Sequence, residues 1–579
     1  MERRLLLVFA LTFLVILLFQ PFLKKFGPQP PTNPQSSQAQ PVTNPQPPSS
    51  PGAAVAGNAA PGASNPSAPV NQTAPVQANK QASTESETII ENGLYRIVFT
   101  NRGGRVKSWV LKKWDDDKGR PLELVNQAAA EKYGYPLSLW TYDDNLRNKL
   151  SSVLYMATSS GSNAPAEIKF EYSDGEVSVQ KTFKFDHSYV VSIQTSVQVK
   201  GSEVAAFPMW PAGFGDELTA SAFAASQISY QFDNKVERLA FKKINGGGTL
   251  PGPFHWAGVS DQYFAAVFMP QDPLNSAMVT LRNSLEIPHS ADPNNRQMDK
   301  VDVLGAAVGN LKGSTSTRVY VGPKSLAELE SVPVPGITGA EADLRQIVDF
   351  GWLGLIARPL FLWLKWTTKY VHNWGWAIVI QTVIINLALL PLRLSQMKSM
   401  LKMQRVAPQI KAIQEKYKKY SLRDPRKAEM NQEISALYKK EGVNPVGGCL
   451  PLIIQMPFLF AYYRMLGVAI DLRHAPWLWI HDLSAPDPHY VLPIAIVVTM
   501  IAMQRMTPQA GMDPAQQKMM NIMMPLMLGY ISFNLAAGLC LYWAVGQLIG
   551  IVQQMALNRS SLGRQMREMM EKRARKKEK

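Results

Sequence analysis

Hydrophobic positions change their period along this chain, and each period predicts a different element. From about Ile89 to Pro323 they recur at every second residue. Tyr95, Ile97 and Phe99 alternate with polar positions, as do Ile168, Phe170 and Tyr172, and the longest such run is Tyr189, Val191, Ile193, Thr195, Val197 and Val199. A period of two predicts half-buried antiparallel strands, because successive side chains of an extended chain point to opposite faces. Turn signals at Asn101-Arg102-Gly103-Gly104, Ser173-Asp174-Gly175 and Asn245-Gly246-Gly247-Gly248 separate the runs, so a β-sandwich is expected over 89–340.

The period becomes helical over 344–372. Trp352, Leu355, Ile356, Leu360, Trp363, Leu364 and Tyr370 recur at three- and four-residue spacing, with Arg358, Lys365, Lys369 and His372 opposite. That pattern predicts a helix in the membrane interface over 341–373, the alternative being a helix packed on the β-domain. Beyond it, five apolar stretches of membrane length crowd into 374–557: 374–392, 446–470, 490–503, 519–534 and 535–557. The third is short, about 21 Å as a helix. The last two form one run too long for a single crossing, with Asn534 and Gly538 as the expected turn.

At the other end, Arg3 and Arg4 precede an apolar run from Leu5 to Leu23 that lacks a small-residue cleavage site, so 1–26 is expected to be an uncleaved anchor. Residues 27–88 are rich in proline, glutamine and alanine, cannot bury enough apolar surface to offset the entropy of ordering, and are expected to be a disordered tether. Anchor and cluster together give six crossings.

Charge fixes the orientation. Between Ser395 and Pro445 there are twelve Lys/Arg against five acids, and between Leu557 and Lys579 nine against three, whereas the loop 468–489 has Arg473 as its sole Lys/Arg. Short basic loops stay cytoplasmic, which puts both termini inside and the β-domain outside. The net charge of +16 is therefore read as topology, and no nucleic-acid specificity is expected. The basic segment 395–445 has its own pattern: Ile410, Ile413 and Tyr417 form one stripe, Asp424-Pro425 starts a second helix, and Met430, Ile434 and Leu437 form another stripe ending at Gly442. It is expected to be a thin-seamed helical hairpin, with 558–579 a basic cytoplasmic tail. Cys449 and Cys540 lie in apolar stretches, so no disulfide framework is available.

Signatures of phosphate-loop, zincin, dithiol and serine-hydrolase chemistry are missing from the sequence, and neither an enzyme nor a cofactor is expected. His481, Asp482, Asp487 and His489 are the nearest approach to a metal cluster, but their setting favours capping contacts. More informative are polar residues inside the apolar stretches, where they are costly. Thr382, Asn386 and Arg393 fall at offsets of four and seven on one helical face; 446–470 adds Gln455 between Pro451 and Pro457, and the last stretch adds Tyr542, Trp543, Gln547, Gln553 and Gln554. Convergence of these faces would enclose a wet, polar groove; interhelical hydrogen bonding is the plainer alternative.

The stretch from Asn444 to Pro457, the loop Trp479-Ile480-His481-Asp482-Leu483-Ser484, the segment Asp513-Pro514-Ala515-Gln516-Gln517-Lys518 and the end Leu541-Tyr542-Trp543 resemble the YidC family of Gram-negative membrane protein insertases. The resemblance covers nearly the whole chain. It implies an α-helical integral membrane protein with a five-helix core, whose groove is open to cytoplasm and lipid but closed to the periplasm, and a large periplasmic β-supersandwich domain. It further implies nascent membrane proteins as substrates, taken alone or with the Sec translocon, ribosome contact through the basic tail and hairpin, and no metal or nucleotide. The implied groove residues are Thr382, Asn386, Arg393, Gln455, Tyr542 and Trp543. Two positions depart from the family pattern. Asn386 stands five residues before Pro391, where most members have a cation, and Trp543 stands where Tyr is usual. Arg393 is expected to restore the positive field from nearer the cytoplasmic mouth, its alternative role being to snorkel to anionic headgroups. The competing readings are a solute transporter using the same polar faces and an anchored periplasmic enzyme acting on glycan, the latter requiring paired carboxylates in a cleft.

Overall fold

A computed structural model describes residues 79–561, 564 and 568, apart from 234, 290–296, 338–341, 421–423, 443–449 and 507–517. The N-terminal anchor, nearly all of the tether, Cys449 and most of the basic tail lie outside the described residues.

Residues 87–323 form three antiparallel sheets. In the ten-stranded one, Thr315–Pro323 pairs with both Phe264–Pro270 and Val190–Val199, and the latter continues through Val177–Phe185 and Ala166–Ser173. The alternation read from sequence is the alternation of burial: Val191, Ile193, Thr195 and Val197 point inward while Ser192, Gln194 and Ser196 face out. All three turn signals supply positive-φ glycines, at Gly103, Gly104, Gly175 and Gly247, where a side chain would be strained. Phe264–Pro270 shows no alternation because every residue in it is buried, covered on both faces. Periodicity also gave no notice of two short helices. They start because Asn126 Oδ1 accepts from Ala129 N at 3.1 Å and Asp143 Oδ1 accepts from Asn145 N at 2.8 Å.

The remainder is helical: α1 (Gly354–Val371), α2 (Trp374–Ala388), α3 (Leu390–Lys416), α4 (Arg426–Lys440), α5 (Leu450–Val468), α6 (Val491–Met506), α7 (Met524–Ser532, led in by a π turn Met519–Met523) and α8 (Ala537–Arg559). Among the described residues α8, at 23 residues, is the one helix both long and apolar enough to cross a membrane; α2, α6 and Met519–Ser532 are apolar but shorter. The helical period expected from Leu344 becomes regular only at Gly354, and α1 carries two apolar stripes. Ala357, Leu360, Phe361 and Leu364 are buried against α2 and α5, while Trp352, Leu355, Leu362, Trp366 and Tyr370 stay exposed.

Pro391 explains the break between α2 and α3, since it cannot donate to the carbonyl of Leu387; α3 therefore begins at Leu390 rather than near Ser395. It then pairs with α4 through Val406, Ile410, Ile434 and Leu437, and Tyr417 Oη donates to Glu433 Oε1 at 2.7 Å across the hairpin. Gly538 is not in the turn before the last helix. That turn is Phe533–Ala536, and Gly538 already lies in the first turn of α8, where its N–H donates to Leu483 O at 2.8 Å.

Candidate functional site

The polar face read from sequence is assembled where α8 lies along α2 and the start of α3. Thr382 Oγ1 donates to Ile378 O at 2.6 Å, a local back-bond that satisfies a hydroxyl inside an apolar helix. Asn386 Nδ2 donates to Thr382 O at 2.8 Å, and its Oδ1 accepts from Arg393 Nη2 at 3.1 Å. Arg393 Nη1 donates to Gln553 Oε1 at 2.7 Å, and Gln553 Nε2 returns to Asn386 O at 3.2 Å. Asn386, Arg393 and Gln553 thus close a hydrogen-bonded ring among three helices, centred on one guanidinium. Gly550 makes the room, since a Cβ there would sit 2.9 Å from Arg393 Nη1, whereas one at Gly546 would only touch Asn386 Nδ2 at an ordinary 3.7 Å.

Among the described residues, Thr382 and Asn386 line no open cavity, while Arg393 is half-buried. Thr382 is 0% and Asn386 3% exposed, covered by α8 at Gly546, and each polar group finds its partner within the protein. Tyr542 is buried farther toward the start of α8, stacked on Tyr462 with ring centroids 4.0 Å apart and planes at 14°. Tyr462 Oη donates to Gln381 Oε1, and Gln381 Nε2 donates to Leu360 O of α1 at 3.0 Å. Among the described residues Gln455 and Trp543 are half-buried, and neither bonds to the ring; Trp543 packs against the apolar core. Sequence reasoning left out Gln381 and Tyr462. The first was findable, as another costly amide beside Thr382, but a Tyr in an apolar run carries no comparable signal.

His481, Asp482, Asp487 and His489 form no metal cluster among the described residues. Asp487 accepts from Trp479 Nε1 (3.1 Å), His489 N (3.0 Å) and Leu492 N (2.7 Å), and Asp482 accepts from Ser484 N and Oγ at 2.7 Å, so these acids are caps. The loop they shape holds Trp477 5.7 Å from Trp376 and 5.6 Å from Trp479, an aromatic cluster at the start of α2. Arg473 leaves that loop for the β-region, donating to Asp115 O at 2.9 Å.

Inside the β-region, Asp216, Glu217 and Asp261 come together. Glu217 and Asp261 are buried, and Asp261 Oδ1 accepts from Tyr263 N (2.7 Å) and Phe264 N (2.6 Å). Desolvation raises all three carboxyls, Glu217 to about 8. Glu217 and Asp261 are thus sunk beneath the surface, with Asp216 half-buried beside them.

Two family models adjoin along the chain: one described as the YidC periplasmic domain matches residues 87–363, and one described as the 60Kd inner membrane protein matches 366–564. A protein of Syntrophus aciditrophicus named membrane protein insertase YidC is 31% identical over 577 residues, covering 97% of this chain and 100% of its own. One of the same name from Geobacter metallireducens is 32% identical over 581 residues, covering 97% and 99%. A solved structure described as an active YidC insertase covers 84% of this chain and 96% of its own at 19% identity, with a TM-score of 0.35, too loose a superposition to add to the sequence matches. From end-to-end identity above 30% and the two adjoining family matches it follows that the chain belongs to the YidC family of membrane protein insertases.

Proposed function

We infer that this chain is a membrane protein insertase of the inner membrane, acting on nascent membrane proteins, and that the seam between α2 and α8 is where a client is received. The observation that carries the second part is the ring of Asn386, Arg393 and Gln553. A polar segment entering hydrocarbon leaves its hydrogen-bonding groups unsatisfied at several kcal/mol each. A seam whose own groups already bond to one another offers exchange: the client takes a bond from the ring as the ring releases one, and no group is left bare. Apolar client helices then leave sideways into lipid, driven by roughly 25 cal/mol per Å² removed from water. Family membership supports this reading over a solute transporter, and the sunken carboxyls of the β-region give no support to glycan chemistry.

In this reading α2, α5, α6, α7 and α8 cross the membrane together with an N-terminal anchor, giving six crossings with both termini cytoplasmic and the β-region periplasmic. The basic hairpin α3–α4 takes the incoming chain, and with the tail it meets the ribosome; the Sec translocon is the partner for larger clients. Thr382, Asn386, Arg393, Gln455, Tyr542 and Trp543 make up the client path, with Arg393 drawing acidic client tails in place of the cation usual at position 386.

Insertion of one client bearing either an acidic or a neutral tail tests this. Arg393→Ala is expected to slow the acidic form at least severalfold and the neutral form little, and Asn386→Lys to restore the acidic form in the Arg393→Ala background. Equal insertion of the acidic form by wild type and Arg393→Ala sinks the assignment of Arg393.

A further inference from the structure

The polar seam has a definite outward end. Along α8, reading inward, Gly538 meets Leu483 O, Tyr542 stacks on Tyr462, Gly546 faces Thr382 and Asn386, and Gly550 faces Arg393. The Tyr542 level is thus the first outward of the ring. Four helices meet there: α1 through Leu360 O, α2 through Gln381, α5 through Tyr462 and α8 through Tyr542. Gln381 and Tyr462 are each 0% exposed.

Gln381 is the member with no slack. Its amide N–H donates to Leu360 O and its amide oxygen accepts from Tyr462 Oη, so one side chain satisfies a hydroxyl on α5 while fastened to α1. A buried Tyr hydroxyl needs an acceptor, and here the acceptor's position fixes the ring. Fixed in this way, the ring lies on Tyr542 with centroids 4.0 Å apart, a separation that leaves no room for water between them. One level farther out, Gly538 N donates to Leu483 O at 2.8 Å and the side chains about it are apolar, since a Cβ there would meet Ile378 Cδ1 and Leu466 Cδ1, each at 3.5 Å.

We propose that Gln381 is a positioning residue that holds Tyr462 against Tyr542, and that this layer is the outer stop of the seam, barring water and ions from crossing while the inner end exchanges bonds with a client. The proposal rests on the seam being the client path, so its test reads something other than insertion.

The full-length protein is reconstituted in vesicles loaded with a chloride-quenched dye, ion leak is measured without client, and insertion of the neutral-tailed client is measured in the same vesicles. Gln381→Met and Tyr462→Phe, both near-isosteric, are each expected to raise the leak severalfold while insertion stays within about twofold, and the double variant to leak no more than the leakier single, because both remove one bond. Tyr462→Ala, which also removes the ring, is expected to leak most. Wild-type leak in Tyr462→Ala overturns the stop, and additive leaks of Gln381→Met and Tyr462→Phe overturn the positioning role. Should Tyr462→Ala not fold, the two conservative variants decide alone: wild-type leak in both overturns the proposal. Failure of the client-path reading shows instead as insertion indifferent to Arg393→Ala, whatever the leak.

Discussion

Single buried ionisable groups make parts of this protein sensitive to pH in opposite senses. Glu217 accepts from Phe214 N at 2.7 Å and from Ser226 Oγ, yet burial and the nearby Asp261 raise its carboxyl to about 8. The folded form therefore holds a proton that the unfolded chain releases near 4.5, so the stability it contributes is full below 4.5 and lost as pH rises toward 8. Lys181 runs the other way. Its ammonium is fully buried, donates to Leu137 O at 2.7 Å and to the carbonyls of Gly103 and Gly104, and is lowered to about 7, chiefly by desolvation. Its penalty is constant below about 7 and fades as pH climbs toward 10.5. Between pH 5 and 7 the Glu217 effect stands clear of it. The β-region should lose stability there, with Glu217 supplying on the order of 1 kcal/mol per pH unit of the slope beside the raised Asp216 and Asp261, and Glu217→Gln, which can still accept from Phe214 N and donate to Ser226 Oγ, should lessen the slope by about that share. Thermal unfolding at three pH values is the measurement, and an unchanged slope in Glu217→Gln would refute the assignment.

Helices here are shaped by where side chains are missing as much as by where they pack. The seat of Arg393 against α8 depends on Gly550, where a methyl would meet Met503 Cε at 2.6 Å as well as the Arg393 guanidinium. Gly550→Ala should push Arg393 away from Gln553 and reduce insertion of the acidic-tailed client about as far as Arg393→Ala does, with little effect on the neutral one. The α3–α4 hairpin is the opposite case, a long pair of helices on a narrow seam. Val406, Ile410 and Met430 are buried, but the outer faces are basic and exposed. Deleting buried methylenes by Ile410→Ala costs about 2 kcal/mol or more, a large share of what so thin a seam supplies. Limited proteolysis should therefore cut between 411 and 440 faster in Ile410→Ala, with the melting temperature of the rest unmoved.

Across the whole molecule, the β-region and the helices are joined by charged and polar clasps at one end of the helices. Arg464 of α5 donates to Asp349 O at 3.0 Å and lies 3.3 Å from its carboxylate, Arg238 of the β-region lies 3.7 Å from the same carboxylate, and Gln262 Nε2 donates to Gly467 O at 3.0 Å. Arg473 completes the join, its guanidinium 5.7 Å from the Tyr263 ring and 3.5 Å from Asp117. These pairs are part-exposed, so each contributes little to global stability, and their effect is to hold orientation. Asp349→Ala should raise hydrogen exchange over 344–353 while strands such as Val190–Val199 exchange as before. Unchanged exchange over 344–353 would show that apolar packing of Leu344, Ile347 and Phe350 holds the join alone.

What the sequence determined by itself is whatever depends on period and local chemistry. The alternation through Val191, Ile193 and Val197, the glycine turns, the hairpin started by Asp424 and Pro425, and the apolar stretches beyond Trp374 follow from residues close together in the chain. The resemblance carried by the motifs also reached the family. Tertiary structure alone decided which polar residues meet. Arg393 and Gln553 are 160 positions apart and Gln381 and Tyr462 are 81 apart, and no period encodes such pairings. Tertiary structure alone also decided that Thr382 and Asn386 are sealed between helices, because the surface that covers them belongs to α8, far along the chain, and the cover exists only when the two surfaces come together.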